Sequence, residues 1–300
     1  MRPLVKTPLI LFALLSTLQM AASAQPLPQR WVSAGGAVSE WVVALGGESH
    51  LVGVDSTSRE PSSLTRLPSI GYQRQLSAEG MLSLRPDVVI GSEEMGPPPV
   101  LEQLRNAGVR VEVLSASTEL PVLWQNLERI GGLLGAPERA GQAFAHLSAQ
   151  LDALQRWVTQ AGQHQAAPGV LMLVGGAGAQ PLVAGSGTVG DWMIRQAGGH
   201  NLAVHSGYKA FSPEAMAGLD PQVLVVSDRA LNGKAAIQAL LRENPVLATT
   251  RATREGRLVS LDPTLLVGGV GPRVPQGLMV LSTAFYPGQP APLLDEKTSR

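Results

Sequence analysis

Only three tyrosines occur in this 300-residue chain, and two of them sit in loops that read as copies of one another. "GYQRQLSAEG" begins at Gly71 and "GYKAFSPEAM" at Gly207, so Tyr72 and Tyr208 each stand a few residues before a Ser-x-Glu that opens a helix. A pair of tyrosines at the mouths of two related loops offers binding chemistry, an aromatic face with a hydroxyl at its tip. The same pair also serves as packing residues whose hydroxyls satisfy loop carbonyls, and residue type alone leaves both readings open. Catalytic groupings are missing. The chain has no cysteine, no Gly-x-Ser-x-Gly elbow, no phosphate loop ending in Gly-Lys-Ser/Thr and no His-Glu-x-x-His pair. Its histidines, His50, His146, His164, His200 and His205, are scattered, whereas a metal cage needs three or four converging ligands; only His200 and His205 are close enough in sequence to meet. The glycine turn at 175–180 lacks the spacing of a nucleotide-binding loop.

The elements that must position the tyrosines are written twice. "VSAGGAVSEW" at 32–41 matches "VAGSGTVGDW" at 183–192, "LGGESHLV" from Leu45 matches "AGGHNLAV" from Ala197, and "SAEGMLSLRPDVVI" from Ser77 matches "SPEAMAGLDPQVLVV" from Ser212. Three matches in one order imply two lobes of one plan, with connecting loops that changed length at small thermodynamic cost. Short β-branched runs at 51–54, 88–90, 109–114, 170–174, 223–226 and 258–261 predict strands. Strands alternating with helices predict an α/β fold of two Rossmann-like lobes with parallel sheets. In such lobes the loops after the strands' carboxyl ends face the ligand cleft, which puts Tyr72 and Tyr208 across it from each other.

Between the copies lies a helical stretch in which Phe144, Leu147, Leu151, Leu154 and Val158 recur at intervals of three and four. With Pro137 in its first turn this helix is long enough to bridge two lobes. The expected division is a signal peptide over 1–24, an N-terminal lobe over 25–135, a bridging helix over 136–162 and a C-terminal lobe over 163–300. Arg2 and Lys6 precede an apolar run from Leu9 to Leu18 that closes on Ala22-Ser23-Ala24, so cleavage is expected near Ala24 and the mature protein in the periplasm, free of a membrane-spanning helix. Twenty-three basic residues balance twenty-three acidic ones, which argues against a nucleic-acid partner.

"GYQRQLSAEGMLSLRPDVVIGSEEMGPP" from Gly71, the "GPR" at 271–273 and the duplicated plan together resemble the haem subgroup of the helical-backbone periplasmic binding proteins that feed bacterial ABC importers. The wider class also carries cobalamin and ferric siderophores, and "LRPDVV" is general to it; the specific part is "GYQRQLSAEG". The resemblance implies a non-enzymatic, monomeric carrier of one ferric haem per chain, handing its cargo to a dimeric inner-membrane permease. It makes Tyr72 the axial iron ligand and Arg74 the donor to the ligating oxygen. A phenolate is a hard anionic donor suited to ferric iron, and a guanidinium beside it favours the anion. In the second lobe Tyr208, Arg229 and Arg273 become candidates for packing on the macrocycle or pairing its propionates. Arg229 leads, because "SDRAL" follows the copied strand at 223–226. Some carriers of this kind hold a second haem through a histidine near the start of the second lobe; here that region reads "LMLVGGAGAQ", so one haem is expected. Glu79 and Glu214 occupy one slot in the two copies. They suit the first turn of a helix, and the resemblance assigns them to docking on permease arginines. A cobalamin or siderophore carrier is the alternative ligand reading, and an enzyme acting on a tetrapyrrole the alternative class.

Overall fold

A computed structural model describes residues 27–175 and 180–291. The expected signal peptide and the glycines at 176–179 lie outside the described residues.

The first lobe runs β1 (Trp31–Ala34), α1 (Gly36–Ala44), β2 (Leu51–Val54), α2 (Ala78–Ser83), β3 (Val88–Ser92), α3 (Pro98–Asn106) and β4 (Arg110–Leu114). Its four strands form a parallel sheet in the order β2-β1-β3-β4. β1 and β3 are buried at every residue, the pattern of strands covered on both faces. Two helices follow, α4 (Leu120–Leu134) and α5 (Pro137–His164).

The second lobe contains β5 (Gly169–Gly175), β6 (Leu182–Ala184), α6 (Val189–Gln196), β7 (His200–Asn201), β8 (Tyr208–Ala210), α7 (Pro213–Gly218), β9 (Val223–Asp228), α8 (Gly233–Glu243), α9 (Arg251–Arg254), β10 (Leu258–Ser260) and α10 (Val274–Phe285). Its sheet corrects the expectation of parallel strands throughout. β10, β9, β5 and β7 are parallel, but β6 runs antiparallel to β5 and β8 antiparallel to β6. The stretch between β5 and β6 is too short for a crossover, which needs a dozen residues or more, so the chain returns as a hairpin.

The hairpin also revises the repeat. β1 pairs with β2 and β3, and it is β5, not the sequence-matched β6, that pairs with the corresponding β7 and β9. The second copy therefore has an added strand between its first parallel strand and its first helix. The likeness of 32–41 to 183–192 is real for the turn and the helix and misleading for the strand.

The 28-residue α5 spans about 42 Å at roughly 1.5 Å per residue. Near its start Arg139 donates to the carbonyl of Leu45 in the first lobe, and further along Gln155 donates to the carbonyl of Gln196 in the second. A continuous apolar core runs from Trp31, Val42 and Ile90 in the first lobe through Leu127 and Leu154 to Val223, Leu278 and Phe285. Each lobe keeps a smaller core on its outer face. Lobes joined by packed helices and a shared core resist the wide hinge motion that a single flexible linker allows.

Polar contacts tie the lobes as well. Arg273, at the start of α10, donates to Glu40 of α1 at 2.6 Å, to Asp262 at 2.7 Å and to the Thr264 hydroxyl at 2.6 Å. The segment 267–271 returns to the first lobe, where Trp41 Nε1 donates to the Val270 carbonyl at 2.8 Å and the Ala37 amide to Val267 at 3.3 Å.

Candidate functional site

Tyr72 sits on a turn fastened from two sides. The Ser56 amide donates to Gly71 at 2.8 Å, and Gly71 adopts φ +85°, a left-handed conformation that glycine reaches without a Cβ penalty. Next, the Gln75 amide closes the turn on the Tyr72 carbonyl at 2.8 Å, and the Gly96 amide bonds Gln73 at 2.8 Å. Ser77 then caps α2, its hydroxyl accepting from the Gly80 amide. The second copy repeats the outline. Gly207 has φ +73°, and Ser212 caps α7 by accepting from the Ala215 amide. Its tyrosine differs in setting, because Tyr208 belongs to β8 and pairs with Ala184, whereas Tyr72 is in a loop.

The two lobes bring most of the expected residues together. Arg229, just past the end of β9, places its guanidinium carbon 5.6 Å from the centroid of the Tyr72 ring, a cation–π contact across the cleft. Arg74 forms an ion pair with Glu94. Tyr208 lies close enough to both for their charges to act on its phenol. Burial pushes the Tyr208 phenol above its ordinary range, outweighing hydrogen bonds from the Gly190 amide and the Thr188 hydroxyl, and the Glu94 charge adds to the rise. Tyr208 retains 37% of its surface.

The three tyrosines differ in what their hydroxyls do. Tyr286 donates to the Gly198 carbonyl at 2.8 Å, and the Tyr208 phenol feels the Gly190 amide and the Thr188 hydroxyl. Among the described residues, the Tyr72 hydroxyl makes no hydrogen bond; the ring's recorded partner is Arg229. A half-buried phenol with an unengaged oxygen and the Arg229 guanidinium over its ring offers a donor atom to a ligand.

Arg273 is elsewhere. Its guanidinium is taken up by Glu40, Asp262 and Thr264, so the structure gives it a lobe-joining role and does not bring it to Tyr72. Burial pushes the Glu40 carboxyl up despite the hydrogen bond from Arg273. For Asp262 burial acts the same way, but bonds from Arg273 and Thr264 prevail and hold it below the usual carboxylate range. Glu79 and Glu214 are both exposed in the first turns of α2 and α7, in keeping with either helix-start or docking chemistry. His205 is used in packing: its Nε2 lies 3.2 Å from the Val183 carbonyl and its ring stacks on Phe211. Among the described residues, no group of three or more His, Asp or Glu side chains could hold a metal ion, and no helix is long and apolar enough to cross a membrane.

Two residues of the site escaped the sequence reading. Arg59 reaches the Arg229 carbonyl at 3.5 Å and lines, with Glu60, Asn232 and Asp262, a cavity of about 290 Å³ between the lobes. Glu94 pairs with Arg74 and accepts from Gln73. Both follow carboxyl ends of parallel strands, β2 and β3, so the strand-end rule that picked out Arg229 points to them too.

The model of the periplasmic binding proteins matches residues 32–265. The chain belongs to the periplasmic binding protein family. A solved periplasmic haem-binding protein from Pseudomonas aeruginosa superposes on this periplasmic binding protein with a TM-score of 0.86 at 60% identity, covering 88% of this chain and 95% of that one. BhuT, a periplasmic haem-binding protein solved with two haems, gives 0.75 at 35% identity, covering 86% and 97%. Among curated sequences, a cobalamin-binding protein of Halobacterium salinarum is 26% identical over 265 residues, 86% of this chain and 70% of that protein. The two-lobed α/β architecture of the periplasmic binding proteins is thus the architecture of this chain.

Proposed function

We propose that this protein is a periplasmic carrier that holds one ferric haem between its lobes, with Tyr72 on the iron, and delivers it to an inner-membrane ABC importer. The observation that carries the reading is the Tyr72 ring, its hydroxyl unengaged, lying under the Arg229 guanidinium, in a chain 60% identical to a periplasmic haem-binding protein. A phenol ionises only near pH ~10 in water, so the iron and nearby cations must favour the anion. Arg74 and Arg229 supply that charge from the two lobes. Arg229 and Arg59 are also placed to meet propionates, since a guanidinium presents a rigid fork of donors to a carboxylate. Tyr208 contributes an aromatic face. A carrier does no chemistry on its cargo, so release should return it unchanged.

Titration of the purified mature protein with haemin tests this directly. Saturation at one equivalent with a high-spin, tyrosinate-type ferric spectrum is expected. Saturation at two equivalents would overturn the stoichiometry, and tight cobalamin binding without any haem spectrum would overturn the ligand.

The docking role of Glu79 and Glu214 makes a separate expectation. Paired charges at an interface steer encounter and fix register more than they add affinity. Glu79→Lys with Glu214→Lys should therefore leave the haemin titration unchanged and cripple transfer to the importer in liposomes, each single change giving a partial defect that eases at high salt. Full transport by the double variant would reduce both to helix-start residues.

A further inference from the structure

The haem reading uses Tyr72 and Arg74 but leaves Glu94 unexplained, although that carboxylate bonds both residues that follow Tyr72. It lies just past β3 with its side chain 25% exposed. One oxygen pairs with the Arg74 guanidinium. The other accepts from Gln73 Nε2 at 3.2 Å and from the Gly268 amide at 3.3 Å. Glu94 thus grips the two residues that follow Tyr72, and it anchors them to the segment that returns from the second lobe. Around it the backbone is already fixed, since the Gly96 amide bonds Gln73 and the Leu76 amide bonds Gly96. The turn therefore has a scaffold without Glu94. Arg74 does not: its side chain is 55% exposed, and among the described residues the ion pair with Glu94 is what restrains it.

We propose that Glu94 is a positioning residue for haem ligation: its carboxylate restrains the Arg74 guanidinium on the turn that carries Tyr72, so that its donors are ordered for the ligating oxygen before the ligand arrives. The inference rests on the haem reading and deepens it. A guanidinium carries five donors in a planar fork, and the bond to Glu94 engages one of its ends, leaving the others for the phenolate. A long side chain left free at the cleft mouth would lose conformational freedom on making that bond; Glu94 has it ordered in advance. A net negative charge beside an anionic ligand opposes it, so the arrangement helps only while Arg74 lies between the two.

Action through Arg74 predicts non-additivity. Haemin titrations would compare wild type, Glu94→Gln, Arg74→Ala and the double variant, reading affinity and the position of the phenolate-to-iron charge-transfer band. A hydrogen bond to the phenolate lowers the energy of its electrons, so losing it should move the band to longer wavelength. Glu94→Gln is expected to weaken binding on the order of threefold to tenfold and to shift the band in the same direction as Arg74→Ala, a coupling of ordinary size for neighbours in one network. In the Arg74→Ala background it should do neither. An equal loss in both backgrounds would make Glu94 a structural anchor for Gln73 and Gly268, and unchanged or tighter binding would show that its charge merely opposes the ligand; either result overturns the proposal. Should Glu94→Gln fold poorly, Glu94→Asp keeps the charge with a shorter reach and should show part of the same band shift, with none in the Arg74→Ala background. Absence of a tyrosinate-type spectrum in the wild type would instead count against the haem reading itself.

Discussion

Tyr72→Phe is expected to abolish the tyrosinate-type ferric spectrum and to weaken haemin binding by at least about a hundredfold, equivalent to roughly 2.8 kcal/mol. The substitution removes one oxygen that no other described residue engages, so no internal hydrogen bond is lost and the ring can keep its contact with Arg229. The fold should be untouched, with melting of the haem-free protein unchanged. Tyr208→Phe is the control. Its hydroxyl faces Thr188 and Gly190 and its phenol is held above the ordinary range by burial, so the variant should keep the tyrosinate spectrum with a modest loss of affinity. A spectrum that survives Tyr72→Phe and vanishes with Tyr208→Phe would assign the iron to the other lobe.

Arg273→Ala should give the largest loss of stability. Glu40 is 5% exposed, and Arg273 is the cation paired with it. Removing one partner of a buried pair leaves an uncompensated charge and costs about 3–5 kcal/mol. At about 2–4 °C per kcal/mol, the slope for chains of roughly 150–250 residues, melting should fall by on the order of 10 °C. The pH dependence has a definite sign. The folded-state carboxyl of Glu40 is already raised, and without Arg273 it rises further, so the folded protein increasingly favours the protonated form and loses stability as pH climbs above the ordinary carboxylate value. Asp262 works in the same sense. Its lowered carboxyl contributes stability above its unfolded value, lost as pH falls through the folded one, and the variant forfeits that contribution at neutral pH. The deficit should therefore grow as pH climbs above the ordinary carboxylate value, and the Asp262 share of it should vanish only as pH falls below that value. A deficit below about 1 kcal/mol would show that Arg273 matters little to the joint between the lobes, and a larger one independent of pH would show that its carboxylate pairs are not the cause.

Placing Arg273 in that joint also explains the "GPR" motif differently from its resemblance reading. A sequence shows an arginine after a glycine-rich turn, and arginines after such turns often meet anions. Whether the anion is a propionate or a buried glutamate 233 residues earlier depends on which helix the turn lands against, and here it lands on α1.

Local chemistry along the chain was enough for a good deal. Short β-branched runs placed the strands near 51, 88, 110, 170, 223 and 258, because apolar runs bounded by turn residues have few other uses. The three- and four-residue spacing after Pro137 marked α5, and Ser77 and Ser212 marked the starts of α2 and α7, because a cap needs only its own first turn. The duplicated motifs told of two lobes and singled out Tyr72 and Arg229. Tertiary structure alone decided the rest. It made β6 the returning arm of a hairpin, since strand direction depends on which neighbour a strand finds. Tyr208 went into an edge strand while its twin stayed in a loop, under the Arg229 guanidinium. Glu94 fell against Arg74, 20 residues away, and Gly268, 174 residues away. Hydrophobic period and capping act within a turn or two of helix, so they are legible in order along the chain; ion pairs and cleft contacts join distant segments, and only the packing of the two sheets against α5 settles which of them meet.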